Sequence, residues 1–158
     1  TVSRITCISI VGKQNNPLHI HIFPPPNTAQ TDPDPSILLN YHFLTHTTLD
    51  VFALRLPQKT ADQDFGLLYA VSEDLAAYGW LTNTGVKFVV FVSCVGVGGG
   101  IREGELKSVF KELQTAYIAL VCNPFYDSDN LEKKPITSKK FISEVKRIGE
   151  SWVPSSAV

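Results

Sequence analysis

The stretch VKFVVFVS, residues 86–93, decides the fold of this 158-residue chain. Apolar residues fill nearly every position, so both faces of the predicted strand are apolar. A strand of this kind needs cover on both sides of its sheet. The stretch therefore predicts a central strand in a sheet that has helices on both faces.

The first predicted strand, RITCISIV, has the same two-faced pattern. We expect Ile5, Cys7 and Val11 on one face and Ile8 and Ile10 on the other. This strand is therefore also expected in the middle of the sheet.

The second predicted strand, LHIHIF, alternates cleanly between apolar and polar residues. Its leucine and isoleucines form one face, and His19 and His21 form the other. The pattern predicts a strand near the edge of the sheet, covered on one side only, with the two histidines exposed. A metal site on the two histidines, as on cupin strands, is the less favoured alternative.

Apolar residues spaced three or four apart predict three helices, at 36–56, 101–122 and 138–152. Asp34 and Pro35 are suited to open the first helix, and Pro57 closes it. The predicted strands lie at 4–11, 18–23, 65–71, 76–82 and 86–93. The resulting order, β-β-α-β-β-β-α-α, predicts a three-layer sandwich of mixed α and β structure. It disfavours a doubly wound sheet, because no β-α-β repeat occurs.

Composition and charge limit the classes of function. Hydrophobic residues make up 44% of the chain, charged residues make up 18%, and the formal net charge is −1. A domain that binds phosphates is usually basic, so nucleic acid is not expected as the main partner. We treat residues 1–158 as a single domain with a Pro-rich loop insert at 24–36 and a flexible tail at 153–158.

Cysteine usage and hydropathy favour a cytosolic protein. Cys7, Cys94 and Cys122 are odd in number and far apart, which argues against a disulfide framework and a zinc knuckle. No apolar run approaches the roughly 18–20 residues that span a bilayer. The amino end lacks the apolar length and the cleavage site of a signal peptide.

His42, His46 and Asp50 are the sharpest candidates for chemistry. On a helix, side chains four residues apart line one face, and two imidazoles with a carboxylate can bind zinc. The hydrolytic motif needs a glutamate directly after the first histidine, where this chain has Phe43. A polar helix face that meets solvent or a protein neighbour is therefore favoured, and neither a metal nor a cofactor is expected.

The glycine run GVGGG, residues 96–100, resembles a phosphate-binding loop only in part. Its G-x-G-x-x-G spacing fails at Ile101, and no Lys followed by Ser or Thr closes a P-loop. We interpret the run as a flexible connection and not as a nucleotide site.

The stretch VCNPFYD, residues 121–127, predicts the end of the second helix. Asn123 tolerates the left-handed conformation that follows a last helical turn, and Pro124 cannot continue the helix. Phe125 and Tyr126 are then expected to fold back as buried apolar anchors. Cys122 is expected to be a small buried hydrophobic residue and not a nucleophile.

Several short motifs together resemble one known family. NNPL (15–18), HTTLD (46–50), GLLY (66–69), YGWLTNTGVKFVVFV (78–92) and NPFY (123–126) occur in the order found in sedlin-like small subunits of the TRAPP (trafficking protein particle) complex. The resemblance covers about residues 5–148 and is strongest to the subunit 2-like branch of that family. The Pro-rich insert, a shorter segment after Asp50 and the GVGGG run depart from the family pattern.

The resemblance implies a longin (SNARE-like) fold, in which a five-stranded, mostly antiparallel sheet lies between one helix on one face and two on the other. It also implies a non-enzymatic assembly subunit that contacts other TRAPP subunits and supports Rab GTPase activation indirectly, in ER-to-Golgi and Golgi traffic. Such a protein is cytoplasmic and associates peripherally with these membranes through the complex. Asp50 matches the family's partner-contacting aspartate on the first helix, and His46 lies in the same motif. Asn123, Pro124, Phe125 and Tyr126 match an element of architectural role.

Two other classes of function remain open from the sequence. One is an enzyme with a metal centre at His42, His46 and Asp50, which would show a cleft with converging polar groups. The other is a SNARE-regulatory longin domain, which would be followed by a coiled-coil helix, and residues 138–158 are too short for one. An adaptor would instead show an apolar patch with a polar rim.

Overall fold

The computed structural model describes residues 3–25, 34–55, 64–93, 101, 104–126 and 135–153. The Pro-rich insert, the GVGGG run and the tail after Val153 fall outside these ranges, apart from a few flanking residues of the insert. The elements are β1 (Arg4–Val11), β2 (Pro17–Ile22), α1 (Pro35–Arg55), β3 (Asp64–Ala70), β4 (Leu75–Leu81), β5 (Lys87–Ser93), α2 (Lys107–Val121) and α3 (Lys139–Ser151). The predicted element order is confirmed.

The five strands form one sheet in the order β2-β1-β5-β4-β3. All four neighbouring pairs are antiparallel. The central position of β5 and the inner position of β1 are confirmed, and β2 lies at an edge. β5 and β1 are the strands whose sequences are apolar on both faces, and β2 is the strand that alternates between apolar and polar residues.

The sheet separates two apolar cores, so the fold has three layers. Phe88, Val90 and Val92 of β5 pack with buried residues of α2 and α3. Val89 and Phe91 lie on the other face and pack with buried residues of α1. One helix therefore covers one face and two cover the other, as in the longin-like fold that the resemblance implied.

A bulge in β1 changes the face on which Ile5 lies. Ile5 pairs with Val92 and Cys7 pairs with Phe91, so Thr6 is an extra residue between two successive pairs. Ile5 consequently packs in the α2–α3 core, and the prediction that it shares a face with Cys7 is wrong. The Thr6 hydroxyl donates to the Phe91 carbonyl at 3.1 Å, which satisfies this side chain at a buried position.

The start of α1 lies where it was predicted, whereas the start of α2 does not. At α1, the Asp34 carboxylate accepts from the Ser36 N–H at 3.0 Å, and Pro35 is the first helical residue, as expected. α2 begins at Lys107 and not at 101. Gly104 has φ +95°, a left-handed conformation that a right-handed helix cannot contain.

The histidine face of β2 is covered and not exposed. The His19 ring lies 6.2 Å from the Phe141 ring of α3, and the His21 ring lies 4.6 Å from Phe23. Both histidines are half-buried. The prediction of cover on one side only is therefore wrong, because α3 extends over the edge strand.

No helix in the described part of the chain is long and apolar enough to cross a membrane.

Candidate partner interface

α1 is held on the sheet by one face of the helix. Leu44, Thr45, Thr48 and Phe52 are its buried residues, and they recur every three or four positions. The Thr48 hydroxyl donates to the Thr45 carbonyl at 2.6 Å, so a threonine can occupy a dry position in this face without losing a hydrogen bond.

Phe52 reaches the sheet because the residue of β4 that lies beneath its ring, Gly79, has no side chain. A Cβ added at Gly79 would lie 2.6 Å from Phe52 Cζ. Phe52 is fully buried, and its ring lies 4.9 Å from the ring of Phe65 on β3. Gly79 thus sets how closely α1 approaches the sheet.

The opposite face of α1 is exposed and carries large apolar side chains. Leu39 is 71% exposed, Phe43 69% and Leu54 76%. His46 and Asp50 lie between them in sequence and are exposed as well. At 3.6 residues per turn these five positions fall within about 80° of the helix circumference. We call this set the outer face of α1.

Scattered apolar residues are normal on a protein surface, but several large apolar side chains on one helix face, with polar residues among them, are typical of a docking site. The apolar spacing of α1 did not predict this face, because that spacing identifies only the stripe that packs on the sheet. The available signal was that α1 is apolar on two opposite faces, as β5 is.

The structure places His46 and Asp50 together on the outer face of α1, whereas His42 is half-buried at its flank. The three do not form a metal-binding cluster. Over the described ranges, no three His, Cys, Asp or Glu side chains are close enough to hold an ion.

Arg55, the basic residue in the last turn of α1, is not paired with Asp50. Its Nη1 donates to the Phe65 carbonyl at 3.0 Å and to the Leu67 carbonyl at 2.7 Å. Two register shifts and the left-handed Gly66, φ +59°, give β3 its irregular course at these residues. The Asp50 carboxylate forms no hydrogen bond or ion pair with any residue that the structure describes. Asp50 is exposed, so its charge can be met by solvent or by a partner.

The end of α2 differs from its prediction in three respects. Cys122 is exposed and is the carboxyl-terminal cap residue of the helix, with φ −72°. Asn123 does not have the left-handed conformation, which among the described non-glycine residues only Asn15 adopts. Phe125 is 95% exposed and is no buried anchor. The second expected anchor, Tyr126, does pack against the core.

A tight turn replaces the expected helix cap. The Asn123 side-chain oxygen accepts from the Phe125 N–H at 3.1 Å, and the Asn123 carbonyl accepts from the Tyr126 N–H at 3.0 Å. Asparagine favours turns of this type because its side chain bonds the backbone two residues on. The turn directs Tyr126 inward and leaves Phe125 in solvent.

A depression of about 400 Å³ lies on the outer side of α3, on the other face of the sheet from α1. It is lined by Ser143, Lys146, Arg147, Glu150 and Ser151. Arg147 is paired with Glu144 at 2.9 Å and with Glu112 at 3.4 Å. This depression contains none of the candidate residues for chemistry.

Comparison with known proteins gives a consistent result. The model of the Sedlin family matches residues 10–151. A Dictyostelium discoideum protein named trafficking protein particle complex subunit 2-like protein is 37% identical over 150 residues, which is 91% of this chain and 95% of that protein. Proteins of the same name from Xenopus tropicalis and Rattus norvegicus are 33% and 35% identical, covering 88% and 77% of this chain and 92% and 82% of their own lengths. The matched region includes all of α1.

Proposed function

This chain belongs to the Sedlin family, and we propose that it is a non-enzymatic assembly subunit of a TRAPP complex that joins its neighbours through the outer face of α1. The name shared by the relatives, over most of each chain, supports the complex. The exposed apolar side chains opposite the sheet support the surface. The exposed apolar side chains carry the proposal, because large apolar side chains gathered on a surface are typical of a site that binds another protein.

Within this interface, Leu39, Phe43 and Leu54 supply area to be buried. Asp50 and His46 supply selectivity. Apolar contact contributes most of the affinity of a protein interface, whereas polar groups set register and reject wrong partners. A carboxylate between apolar residues matches a partner that presents a donor at that point. These are the roles that we assign to the five residues.

The turn at 123–126 has an architectural role in this proposal. Asn123 and Pro124 end α2 and redirect the chain, so that Tyr126 joins the core beneath. Phe125 points away from the domain.

Membership of the complex implies the pathway and the cellular location of the proposed function. As a TRAPP subunit, the chain supports Rab GTPase activation indirectly, in ER-to-Golgi and Golgi traffic. It is cytoplasmic and is recruited to these membranes as part of the assembly.

Two other functions make different predictions. A SNARE-regulatory longin domain would co-purify with a single SNARE and not with a set of tethering subunits. A metal-dependent enzyme would lose activity with His42 or His46, but the structure does not gather these residues into a metal site within its described part.

The proposal is tested by affinity purification of the tagged chain from cells, with mass spectrometry of what co-purifies. We expect TRAPP subunits with the wild-type chain and their loss with Asp50→Tyr, because a bulky ring replaces the carboxylate in the middle of the interface. A thermal melt of the isolated variant should match the wild type, since Asp50 is exposed.

Glu73→Tyr is the matched control. Glu73 is also an exposed acidic residue, but it lies on the turn between β3 and β4. It should leave co-purification unchanged. Normal assembly by a well-folded Asp50→Tyr chain would contradict the proposed interface, and the absence of TRAPP subunits from the wild-type preparation would contradict the proposed function.

A further inference from the structure

A repeat of about 3.5 residues runs along the exposed side of α1. Leu39, Phe43, His46, Asp50 and Ala53 follow one another at spacings of four, three, four and three residues, and all five are exposed. We call these five the seam. The same spacing defines the contact seam of helices that pack side by side over several turns. At 1.5 Å per residue, the seam is about 21 Å long.

The two halves of the seam differ in chemistry. Its amino-terminal half presents Leu39 and Phe43, and its carboxyl-terminal half presents Asp50, beside the exposed Leu54. A carboxylate in the later part of a helix lies toward the negative end of the helix dipole, which is unfavourable. Arg55 does not pair with this carboxylate and donates instead to the carbonyls of β3. The surface therefore offers an apolar contact followed by a carboxylate that has no ion-pair partner among the described residues.

We propose that the seam receives one helix of a partner protein, which places apolar side chains on Leu39 and Phe43 and an arginine or lysine against Asp50. This inference rests on the proposed function and specifies the chemistry of the partner. A helix is the element whose side chains interdigitate with a 3.5-residue spacing along several turns. A basic residue is the complement of a carboxylate flanked by apolar contacts, since attraction between the two grows as they leave water together.

A second copy of this chain does not fit the seam equally well. Two seams packed against each other would bring no lysine or arginine to Asp50, because the seam contains neither. The charge would then be buried without a strong partner, which is unfavourable. A partner that carries the cation avoids this cost.

The first test uses the complex as cells assemble it. The tagged chain, with the photoreactive residue benzoylphenylalanine at position 53, is cross-linked in cells and purified, and the attached peptides are identified by mass spectrometry. We expect cross-links to a single partner segment at positions three or four residues apart, with an arginine or lysine within one turn. The same residue at position 73 should not reach that segment. Cross-links to a loop, to alternate residues of a strand or to a second copy of this chain would overturn the proposal.

The second test reverses the charge. Asp50→Lys should lower the recovery of that partner by about tenfold or more, and Asp50→Asn should lower it less, because it removes one charge without adding another. Changing the partner's basic residue to glutamate should restore recovery with Asp50→Lys, and Glu73→Lys should have no effect. Unchanged recovery with Asp50→Lys, or no restoration, would overturn the proposal even if TRAPP subunits still co-purify, whereas a wild-type chain that captures no TRAPP subunit would overturn the proposed function as well.

Discussion

The ammonium group of Lys87 donates to the side-chain oxygen of Asn15 at 2.9 Å and so joins two residues that are 72 positions apart in sequence. Asn15 lies in the turn between β1 and β2 and has φ +63°. Lys87 opens β5, where burial lowers the pKa of its amine. Both residues belong to motifs that carry the family resemblance, NNPL (15–18) and YGWLTNTGVKFVVFV (78–92). The hydrogen bond between them gives both motifs a structural role, because it holds the two segments together at one end of the sheet.

Substitution of Asn15 separates the two contributions of this residue. Asn15→Gly removes the bond to Lys87 but keeps the left-handed backbone at little cost, whereas Asn15→Ala removes the bond and also strains the backbone. We expect Asn15→Ala to lower the free energy of unfolding by about 1–2 kcal/mol more than Asn15→Gly. Denaturant unfolding of the two variants measures the difference. Equal stability would mean that the turn changes conformation in the alanine variant.

Phe125 and Tyr126 should have opposite effects on stability. Phe125→Ala is expected to change the free energy of unfolding by less than about 0.5 kcal/mol, because the side chain is almost fully exposed. Tyr126→Ala should cost about 1–3 kcal/mol, because its half-buried ring packs on the core of α2 and α3. Thermal melts of both variants test the ranking. A larger loss with Phe125→Ala would show that the turn at 123–126 is not as described.

Stability should fall as the pH falls below about 6.5. Burial, and then the nearby His21, lower the pKa of His19 from 6.5 to about 4. His21 shifts in the same direction, by burial and then by Lys146, although Glu150 opposes this shift. The unfolded chain therefore binds these protons more readily than the folded chain. The stabilisation is complete above pH 6.5 and is lost progressively as the pH falls toward 4.

The control for this prediction is His19→Gln, measured beside the wild type at pH 7.5 and pH 5.0. Carboxylates also respond to acid, so the quantity to compare is the loss of stability between the two pH values. We expect a smaller loss in the variant, because glutamine does not titrate. An identical loss in the two proteins would mean that His19 is not the group responsible.

The protein is expected to bind no stoichiometric metal. Phe43 stands where a hydrolytic zinc motif has glutamate, and the structure leaves His46 and Asp50 in solvent. Elemental analysis of protein purified without added metal tests this expectation. Zinc at one equivalent that disappears with His46→Ala would contradict it and would favour the enzyme alternative.

Patterns that depend only on neighbours in sequence predicted most of the fold. β5 is apolar on both faces wherever it lies in space, and Asp34 followed by Pro35 starts a helix without help from the rest of the chain. The position of Ile5 was missed because the bulge at Thr6 exists only in the pairing of β1 with β5. No local pattern specifies it.

Burial at the helix surfaces could not be predicted in the same way. Apolar spacing shows that a face can be covered but not that a neighbouring element covers it. Phe125 and Leu39 are as apolar as residues of the core, and only the positions of α2 and α1 leave them exposed. The outer face of α1 is therefore the part of the candidate site that required the structure, whereas Asp50 was found from the sequence motif.

The bonds from Arg55 to β3 also bear on aggregation. β3 is an edge strand of the sheet, and free backbone groups on an edge invite pairing with the strands of other molecules. The guanidinium group occupies carbonyls of Phe65 and Leu67, so an incoming strand would have to displace it first. We therefore expect Arg55, the last residue of α1, to disfavour edge-to-edge pairing between unassembled copies of the chain.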